Sequence, residues 1–277
     1  MTRRRTARSM AATFGMYFLV VCLSLIWILP IVWTALTSLK PDEIITLMPP
    51  KWDFQPTLEH YANLTRTGSF LLFFRNSTAV SLSATIIALA VSIPAAYSVV
   101  RHGTGGTAAR LAILGTRMIP AVVIAFPLFM LMTSMGVTKT ILGLVLAQAA
   151  SMAPFCAWLL IGFIQGVSRD FEESAMIDGC SGFSVIWRIT LPMIRPGLAT
   201  TAVLSFVISW NDLFFALVLT NGDTQTLPVA VTTFITGYAI KWGDLTAASM
   251  VILIPPVVLA FMVQKHLVRG LTLGGLK

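Results

Sequence analysis

Long stretches of the chain carry almost no charged side chains, and this pattern predicts its helices. Each stretch is at least 20 residues long and holds no Asp, Glu, Lys or Arg, apart from Asp212 in one of them; the stretches are 9–39, 76–100, 118–138, 140–168, 196–222 and 245–264. A helix needs roughly 20 mostly apolar residues to cross the hydrocarbon core of a bilayer. We therefore predict an all-α membrane protein in which residues 1–277 form one transmembrane domain, with six spans at about 14–36, 77–100, 118–136, 141–166, 197–220 and 245–265.

The composition supports a membrane location. Hydrophobic residues make up 56% of the chain and charged residues 11%, whereas a soluble domain carries about 25% charged residues. The first apolar run, Phe14 to Leu36, is too long for the hydrophobic part of a cleaved signal peptide, and no small-residue cleavage pattern follows before Lys40. We expect this run to remain as the first span.

The positively charged residues predict the orientation. With a cytoplasmic N-terminus, 13 of the 19 Lys and Arg residues fall in cytoplasmic segments, where positively charged loops tend to stay. The cytoplasmic segments then carry +9, the external segments are balanced and Asp212 leaves −1 in the bilayer, in agreement with the net charge of +8. We predict that both termini are cytoplasmic, and we interpret the basic character as a topology signal and not as a nucleic-acid-binding surface.

The chain offers no residue pattern typical of a disulfide, a metal site or a nucleotide site. Two of the three cysteines fall in predicted spans and Cys180 in a cytoplasmic loop, and the three histidines are far apart in the sequence. The glycine-rich turn 102–107 is followed by Ala108 and Ala109, where a phosphate-binding loop needs Lys and Ser or Thr. We expect no cofactor or metal, and no ATP hydrolysis by this chain itself.

The cytoplasmic loop 168–195 has the sequence SRDFEESAMIDGCSGFSVIWRITLPMIR, and we call it the coupling loop. We predict two short helices joined by a turn at Gly179, because glycine tolerates the left-handed conformation that commonly ends a helix. Asp170 is the predicted cap of the first helix, Glu173 completes a capping-box spacing, and Glu172 lies near the positive helix end. The second helix is predicted to have one face formed by Phe183, Ile186, Trp187 and Thr190.

This loop resembles that of the permease subunits of type I ABC importers, which share a MetI-like transmembrane domain. Their signature is Glu-Ala-Ala, three residues, Gly, nine residues and Ile-x-Leu-Pro, and the chain departs from it only by Ser174 in place of the central alanine. The resemblance implies that the loop is a coupling helix seated in a groove of a separate ATPase subunit. The resemblance assigns the ATPase-coupling role to Glu172, Glu173, Ser174, Ala175, Asp178, Gly179, Ile189, Leu191 and Pro192.

Six further patches narrow the resemblance to the carbohydrate branch of this family and to its maltose-permease-like subunits. They are TSLKP (37–41), PTLEHY (56–61), Asn76-Ser77, WNDLFFALVLT (210–220), TLPVAV (226–231) and RGLTLGGLK (269–277). The resemblance implies a permease subunit of an ATP-driven sugar importer in the bacterial plasma (inner) membrane. The implied partners are a second, homologous permease in a heterodimer, two cytoplasmic ATPase subunits, an external solute-binding protein, the sugar and the lipid bilayer. Closure of the ATPase would then rock the spans between inward-open and outward-open states.

Two groups of residues are candidates for contacts outside the coupling loop. Trp210, Asn211 and Asp212 form a polar cluster with an ionisable residue inside a span, which marks a functional site by default. They are either sugar contacts in the substrate pathway or, for Asp212, a structural partner of a neighbouring helix or of the sister permease subunit. In the last external loop, Tyr238 and Trp242 either contact the binding protein or belong to a plain interfacial turn.

Two other functions remain open from the sequence. A type I ABC importer for another solute, such as a polyamine or a glycerol phosphodiester, would share the coupling-loop signature. A secondary transporter is more remote, because it would need acidic or histidine relays in several spans or an internal repeat, and Asp212 is the only acidic or histidine residue within the predicted spans.

Overall fold

A computed structural model describes the backbone of residues 2–66, 68–236 and 238–274 and the side chains of 13–66, 68–236 and 238–264. Within these ranges the regular elements are helical, and one isolated antiparallel bridge joins Ile235 to Ile240. The helices are α1 (Thr2–Thr37), α2 (Asp42–Ile45), α3 (Glu59–Arg66), α4 (Ser69–Arg101), α5 (Gly106–Thr116), α6 (Ala121–Ser134), α7 (Ile141–Gln165), α8 (Arg169–Ile177), α9 (Gly182–Val185), α10 (Leu191–Met193), α11 (Arg195–Trp210), α12 (Phe214–Leu219), α13 (Leu227–Thr232) and α14 (Trp242–Gly274). A π-helical turn, Ile186–Thr190, links α9 to α10, and a short 3₁₀ helix, Gly222–Thr224, precedes α13.

The predicted all-α class is confirmed, and the described residues hold four to six candidate spans, a range that includes the predicted six. Among the described residues, four helices are long and apolar enough to cross a membrane, at Thr13–Thr37, Ser69–Arg101, Ile141–Gln165 and Trp242–Gln264. Two further candidates are bent pairs of helices, α5 with α6 at 94° and Gly182–Met193 with α11 at 84°. The total is six if each bent pair counts as one span.

The third and fifth predicted spans differ in detail from the helices that form. The predicted span 118–136 is represented by α6, which has only 14 residues and meets α5 at a sharp bend. The predicted span 197–220 contains α11 and α12, with a break of three residues at 211–213. Hydropathy reports how apolar a segment is but not where its backbone turns, so neither break was predicted.

The described residues form two compact units, one within 1–67 and 234–252 and the other within 68–233 and 253–277. The core of the second unit lies where α4 and α7 pack together, with α11 against both. Ala84 and Ala88 on α4 and Ala147 on α7 are each no more than 1% exposed, and residues this small let helix backbones approach closely. This packing brings Arg101, the last residue of α4, beside the segment that follows α7.

His60 on α3 is a buried residue of the first unit. Its Nε2 is 2.8 Å from the carbonyl oxygen of Lys40, and its Nδ1 is 3.3 Å from Oδ1 of Asp244 in the first turn of α14. The buried Lys40 ammonium lies 5.3–5.7 Å from the ring centroids of Trp33, Trp52 and Phe54. The polar contacts of His60 link the segment after α1 to the start of α14, and the cation–π contacts hold the Lys40 side chain within residues 33–54.

Candidate functional site

The first helix of the coupling loop, α8, begins at a serine cap. Ser168 has an extended backbone, and its Oγ accepts a hydrogen bond from the backbone N of Asp170 at 3.3 Å. The prediction that Asp170 caps this helix is therefore wrong. Asp170 lies in the first turn, where its carboxylate accepts a hydrogen bond from the Ser168 hydroxyl at 2.9 Å. A hydroxyl suits this position because it can donate to one group while it accepts from another.

The turn predicted at Gly179 is present and has a defined hydrogen-bond pattern. The backbone N of Cys180 donates to the carbonyl of Ala175, and the N of Gly179 donates to the carbonyl of Met176, both at 3.0 Å. This is the Schellman arrangement, which satisfies carbonyl groups at the end of a helix. Gly179 has φ +90°, in the left-handed region that favours glycine.

The residues that the resemblance assigned to coupling divide between the surface and the interior of the chain. Glu173, Ser174, Asp178 and Gly179 are exposed. Glu172 and Ala175 on the opposite side of α8 are buried, as is Leu191, whereas Ile189 and Pro192 are half-buried. Only the exposed group is available for direct contact with another protein.

The buried Glu172 carboxylate accepts four hydrogen bonds. Arg101 donates two of them, from Nε to Oε2 at 2.8 Å and from Nη2 to Oε1 at 2.9 Å. The Tyr97 hydroxyl donates to Oε2 at 3.2 Å and the Thr190 hydroxyl donates to Oε1 at 2.8 Å. The side chains of Arg101 and Glu172 are 8% and 3% exposed, so this is a buried ion pair with its hydrogen bonds satisfied.

The second helix of the coupling loop does not keep the predicted face. Phe183 and Trp187 are exposed, with ring centroids 6.1 Å apart, whereas Thr190 is 1% exposed. The reason is the π-helical turn at Ile186–Thr190, because its wider turn rotates the following residues relative to a regular helix. The prediction of two short helices is confirmed, but the face expected for Phe183, Ile186, Trp187 and Thr190 is wrong.

Trp210 is enclosed by the chain's own aromatic residues. It is 1% exposed, stacks on Phe206 with ring centroids 5.5 Å apart and meets Phe74 edge-on at 5.6 Å. Its indole ring is therefore packed inside the second unit, and no face of it is available to stack on a sugar in this structure.

Asp212 and Asn211 lie in the break between α11 and α12 and differ in their surroundings. Asp212 Oδ2 accepts hydrogen bonds from Gln148 Nε2 on α7 at 2.9 Å and from the backbone N of Ala216 at 3.3 Å. The Ser209 hydroxyl bonds to the other end of the Gln148 amide. This geometry favours the structural role for Asp212. Asn211 is exposed, and its amide donates to Val207 O at 2.8 Å.

The segment after α12 is held by two neighbouring residues of α4. Asn76 Nδ2 donates to the carbonyl oxygens of Asp223 and Gln225 at 2.7 and 2.9 Å. Ser77 Oγ accepts a hydrogen bond from the backbone N of Leu227 at 2.8 Å, at the start of α13. Sequence reasoning did not assign this role to the two residues. The available signal was a pair of polar residues at the edge of an uncharged stretch.

The aromatic candidates of the last loop lie in the first unit. Tyr238 is fully exposed, beside the short bridge between Ile235 and Ile240. Trp242 begins α14 and is 42% exposed. Both side chains are accessible, as a contact with another protein would require.

A surface pocket of about 590 Å³ lies along the first turns of α4; its lining residues are Gly68, Leu71, Leu72, Phe74, Arg75 and Thr78. Phe74 links this pocket to the Trp210 cluster. In the part of the chain that the structure describes, no three His, Cys, Asp or Glu side chains come together as a metal-binding group.

Comparison with known proteins gives consistent results. The model of the family described as "Binding-protein-dependent transport system inner membrane component" matches residues 88–273. The sulfoquinovosyl glycerol transport system permease protein SmoH of Agrobacterium fabrum is 32% identical, over 90% of this chain and 88% of the relative. The trehalose/maltose transport system permease protein MalG of Thermococcus litoralis is 31% identical, over 93% and 94%.

The fold is also similar to that of a solved structure. One chain in the crystal structure of a bacterial ABC transporter involved in the import of the acidic polysaccharide alginate superposes with a TM-score of 0.78. Its sequence is 21% identical, and the match covers 94% of this chain and 97% of that one.

The family model and the named relatives confirm the resemblance to the ABC importer permeases and to maltose-permease-like subunits. The chain is a multi-pass membrane protein and belongs to the family of binding-protein-dependent transport system inner membrane components.

Proposed function

We propose that the chain is the permease subunit of an ATP-driven importer for a sugar or a sugar derivative, and that residues 1–277 act as one permease domain. The observation that carries the proposal is the geometry of the coupling loop. Glu173, Ser174, Asp178 and Gly179 are exposed in the register of the family signature, on a helix that is capped at both ends. Such a short, rigid unit is suited to receive a push from another protein.

The partners follow from this assignment. The exposed group on α8 contacts a separate cytoplasmic ATPase subunit, of which the complete transporter has two, and this chain hydrolyses no ATP. A second, homologous permease subunit forms the other half of the pathway. A solute-binding protein docks on the external side, where the exposed Tyr238 and Trp242 contact it. The asymmetry of Lys and Arg supports cytoplasmic termini, and the family description supports a bacterial inner-membrane location.

The class of solute is inferred from the relatives. Their names specify sulfoquinovosyl glycerol and trehalose or maltose, and these are all sugars or sugar derivatives. Within this chain, Asn211 is the pathway candidate because it is exposed at the break between α11 and α12, where backbone groups leave the helix ladder. Asp212 and Trp210 stabilise the helices beside this break through their contacts with Gln148 and Phe206.

Reconstitution tests the proposal. The chain is purified with its second permease and ATPase, reconstituted in nanodiscs, and ATP hydrolysis is measured with the binding protein and a panel of mono- and disaccharides. We expect at least one sugar-loaded binding protein to stimulate hydrolysis above the unliganded level. Stimulation by a polyamine or a glycerol phosphodiester and by no sugar would overturn the sugar assignment, and failure of any ATPase subunit to co-purify would overturn the coupling role.

A further inference from the structure

Glu172 and Glu173 are adjacent on α8 but differ in burial. Glu173 is exposed, whereas Glu172 is 3% exposed and accepts four hydrogen bonds from groups of its own chain. A carboxylate has about four lone-pair positions, so Glu172 is saturated and offers no acceptor to a partner protein. Its role lies within the chain.

Arg101 connects the ends of three helices through this carboxylate. It is the last residue of α4, and its Nη2 donates to Glu172 and also to the carbonyl oxygens of Val167 at 2.9 Å and Ile164 at 3.3 Å, at the end of α7. In the reverse direction, Arg169 at the start of α8 donates to the carbonyl of Val100 at 3.3 Å. Because the guanidinium is planar and rigid, Arg101 holds α4, α7 and α8 in one arrangement.

Thr190 brings the second helix of the coupling loop to the same carboxylate. The π-helical turn directs the side chain inward, where its hydroxyl lies 2.8 Å from Glu172 Oε1. Both helices of the coupling loop are therefore attached to a single buried group. A buried ion pair is weak evidence for stability, since the cost of removing its charges from water offsets its attraction, but it selects one arrangement over others.

We propose that Glu172 is a positioning residue that, together with Arg101, Tyr97 and Thr190, fixes both helices of the coupling loop to the end of α4. A movement of the ATPase subunit that displaces the coupling loop then displaces α4 as well, because the loop cannot tilt independently of α4. The inference rests on the proposed function, because that function assigns the push to an ATPase subunit.

The first test removes one hydrogen bond without changing the shape of the side chain. Thr190→Val lacks the donor, and Thr190→Ser keeps it as the matched control; Tyr97→Phe removes a second donor independently. In the reconstituted complex we expect Thr190→Val and Tyr97→Phe to assemble and to hydrolyse ATP, but to transport about fivefold less solute per ATP. Thr190→Ser should stay within about twofold of the unchanged protein. An unchanged ratio of transport to hydrolysis in both Thr190→Val and Tyr97→Phe would overturn the inference.

The second test reads the position of α8 without any solute. Spin labels are placed at the exposed Leu82 of α4 and Phe171 of α8, in the assembled complex from which the three native cysteines have been removed. Leu82 lies 19 residues before Arg101, about 28 Å along the helix, so the distance between the labels is within the range of pulsed electron resonance. We expect one narrow distance distribution in the parent and in Thr190→Ser, and a broad one in Thr190→Val.

The two tests separate the two proposals. A broad distribution in the parent, or a narrow one that Thr190→Val leaves unchanged, would overturn the positioning role even if sugar transport is established. A complex that transports no sugar but shows the narrow distribution, broadened by Thr190→Val, would refute the sugar assignment and support the positioning role.

Discussion

Gly179 ends α8 in a conformation that strains other residues, yet it has open space around it. Its φ of +90° lies in the left-handed region, and nothing lies within 4 Å of the position that a β-carbon would occupy. In the chain itself, backbone conformation is therefore the only constraint on this position. In the proposed complex the same position faces an ATPase subunit, so side-chain volume becomes a second constraint.

Two substitutions at Gly179 test the coupling role of this turn. Gly179→Asn should retain most transport, because asparagine adopts the left-handed conformation more readily than other side chains. Gly179→Leu should abolish transport while the chain still inserts, since leucine adds both bulk and about 1–2 kcal/mol of backbone strain. The measurements are solute uptake and the amount of the chain in membranes.

Gly182 provides the control for this series. It also has open space around its Cβ position, but its φ is not positive, so Gly182→Leu should transport normally. Wild-type uptake by Gly179→Leu at a normal membrane level would contradict the coupling role of this turn.

Asp212 and Asn211 should respond differently to substitution. Asp212→Ala leaves the buried Gln148 amide without its acceptor, which costs about 1–3 kcal/mol and should lower the melting temperature by several degrees. Asp212→Asn keeps an oxygen that can accept the same hydrogen bonds, so its melting temperature should stay closer to that of the parent. Asn211→Ala should leave the melting temperature unchanged and slow the uptake of solute.

Thermal unfolding in detergent and uptake in vesicles measure these two effects. A normal uptake rate in Asn211→Ala would remove it from the substrate pathway. An unchanged melting temperature in Asp212→Ala would remove the structural role of Asp212.

For individual residues, the sequence identifies the motif to which a residue belongs, but it does not always identify the role of that residue. The register of the signature located the coupling loop and Gly179, because both depend on spacing along the chain. It could not separate Glu172 from Glu173, since Glu172 turns inward to meet Arg101, 71 residues away in the sequence. The prediction of Trp210 as a sugar contact has a similar cause. Its packing partners Phe74 and Phe206 are known only from the structure, so the sequence did not show that the indole ring is buried.

Among the helices, α11 and α7 make a close contact at Gly197. A β-carbon there would overlap the ring of Phe163 on α7. Gly197→Ala therefore has to displace this ring, and overpacking of this kind costs typically 1–3 kcal/mol. We expect Gly197→Ala to lower the melting temperature measured in detergent.

Gly162, one residue before Phe163, is a matched control. It lies inside α7 with open space at its Cβ position, so Gly162→Ala should leave stability unchanged or raise it by up to about 1 kcal/mol. Combining Gly197→Ala with Phe163→Leu should recover part of the loss. Equal melting temperatures for Gly197→Ala and Gly162→Ala would contradict the close contact.

Hydropathy locates the helices well but reports neither their breaks nor their turns. The predicted span 141–166 agrees with α7, Ile141–Gln165, and the predicted end of the first span at residue 36 agrees with the end of α1 at Thr37, each to within one residue, because burial in lipid demands an uninterrupted apolar helix. The break at 211–213 contains Asp212, whose partner Gln148 lies on another helix, and a tertiary contact of this kind leaves no mark on local hydropathy. The π-helical turn, Ile186–Thr190, is equally invisible to a helical periodicity of 3.6 residues.

For the whole molecule, the distribution of charge and the coupling loop lead to the same orientation by independent routes. In the predicted topology, the loop 168–195 lies on the side that holds 13 of the 19 Lys and Arg residues, and the proposed function requires that side to face the ATPase. Four of the 11 acidic residues lie in this loop. One of them, Glu172, is neutralised by Arg101 inside the chain, so the surface of the loop is less acidic than the sequence alone indicates.

The predicted orientation can be tested with single cysteines in vesicles of known sidedness. In a background without Cys22, Cys156 and Cys180, a thiol at either of two exposed positions, Tyr238→Cys or Phe183→Cys, reports on one side of the membrane. A membrane-impermeant maleimide should label Tyr238→Cys in right-side-out vesicles and Phe183→Cys only in inverted ones, because positively charged loops stay cytoplasmic. Permeabilised vesicles, in which both should react, show that each thiol is accessible. The reverse pattern would place the coupling loop outside the cell, where no ATPase could reach it, and would refute the orientation and the coupling role together.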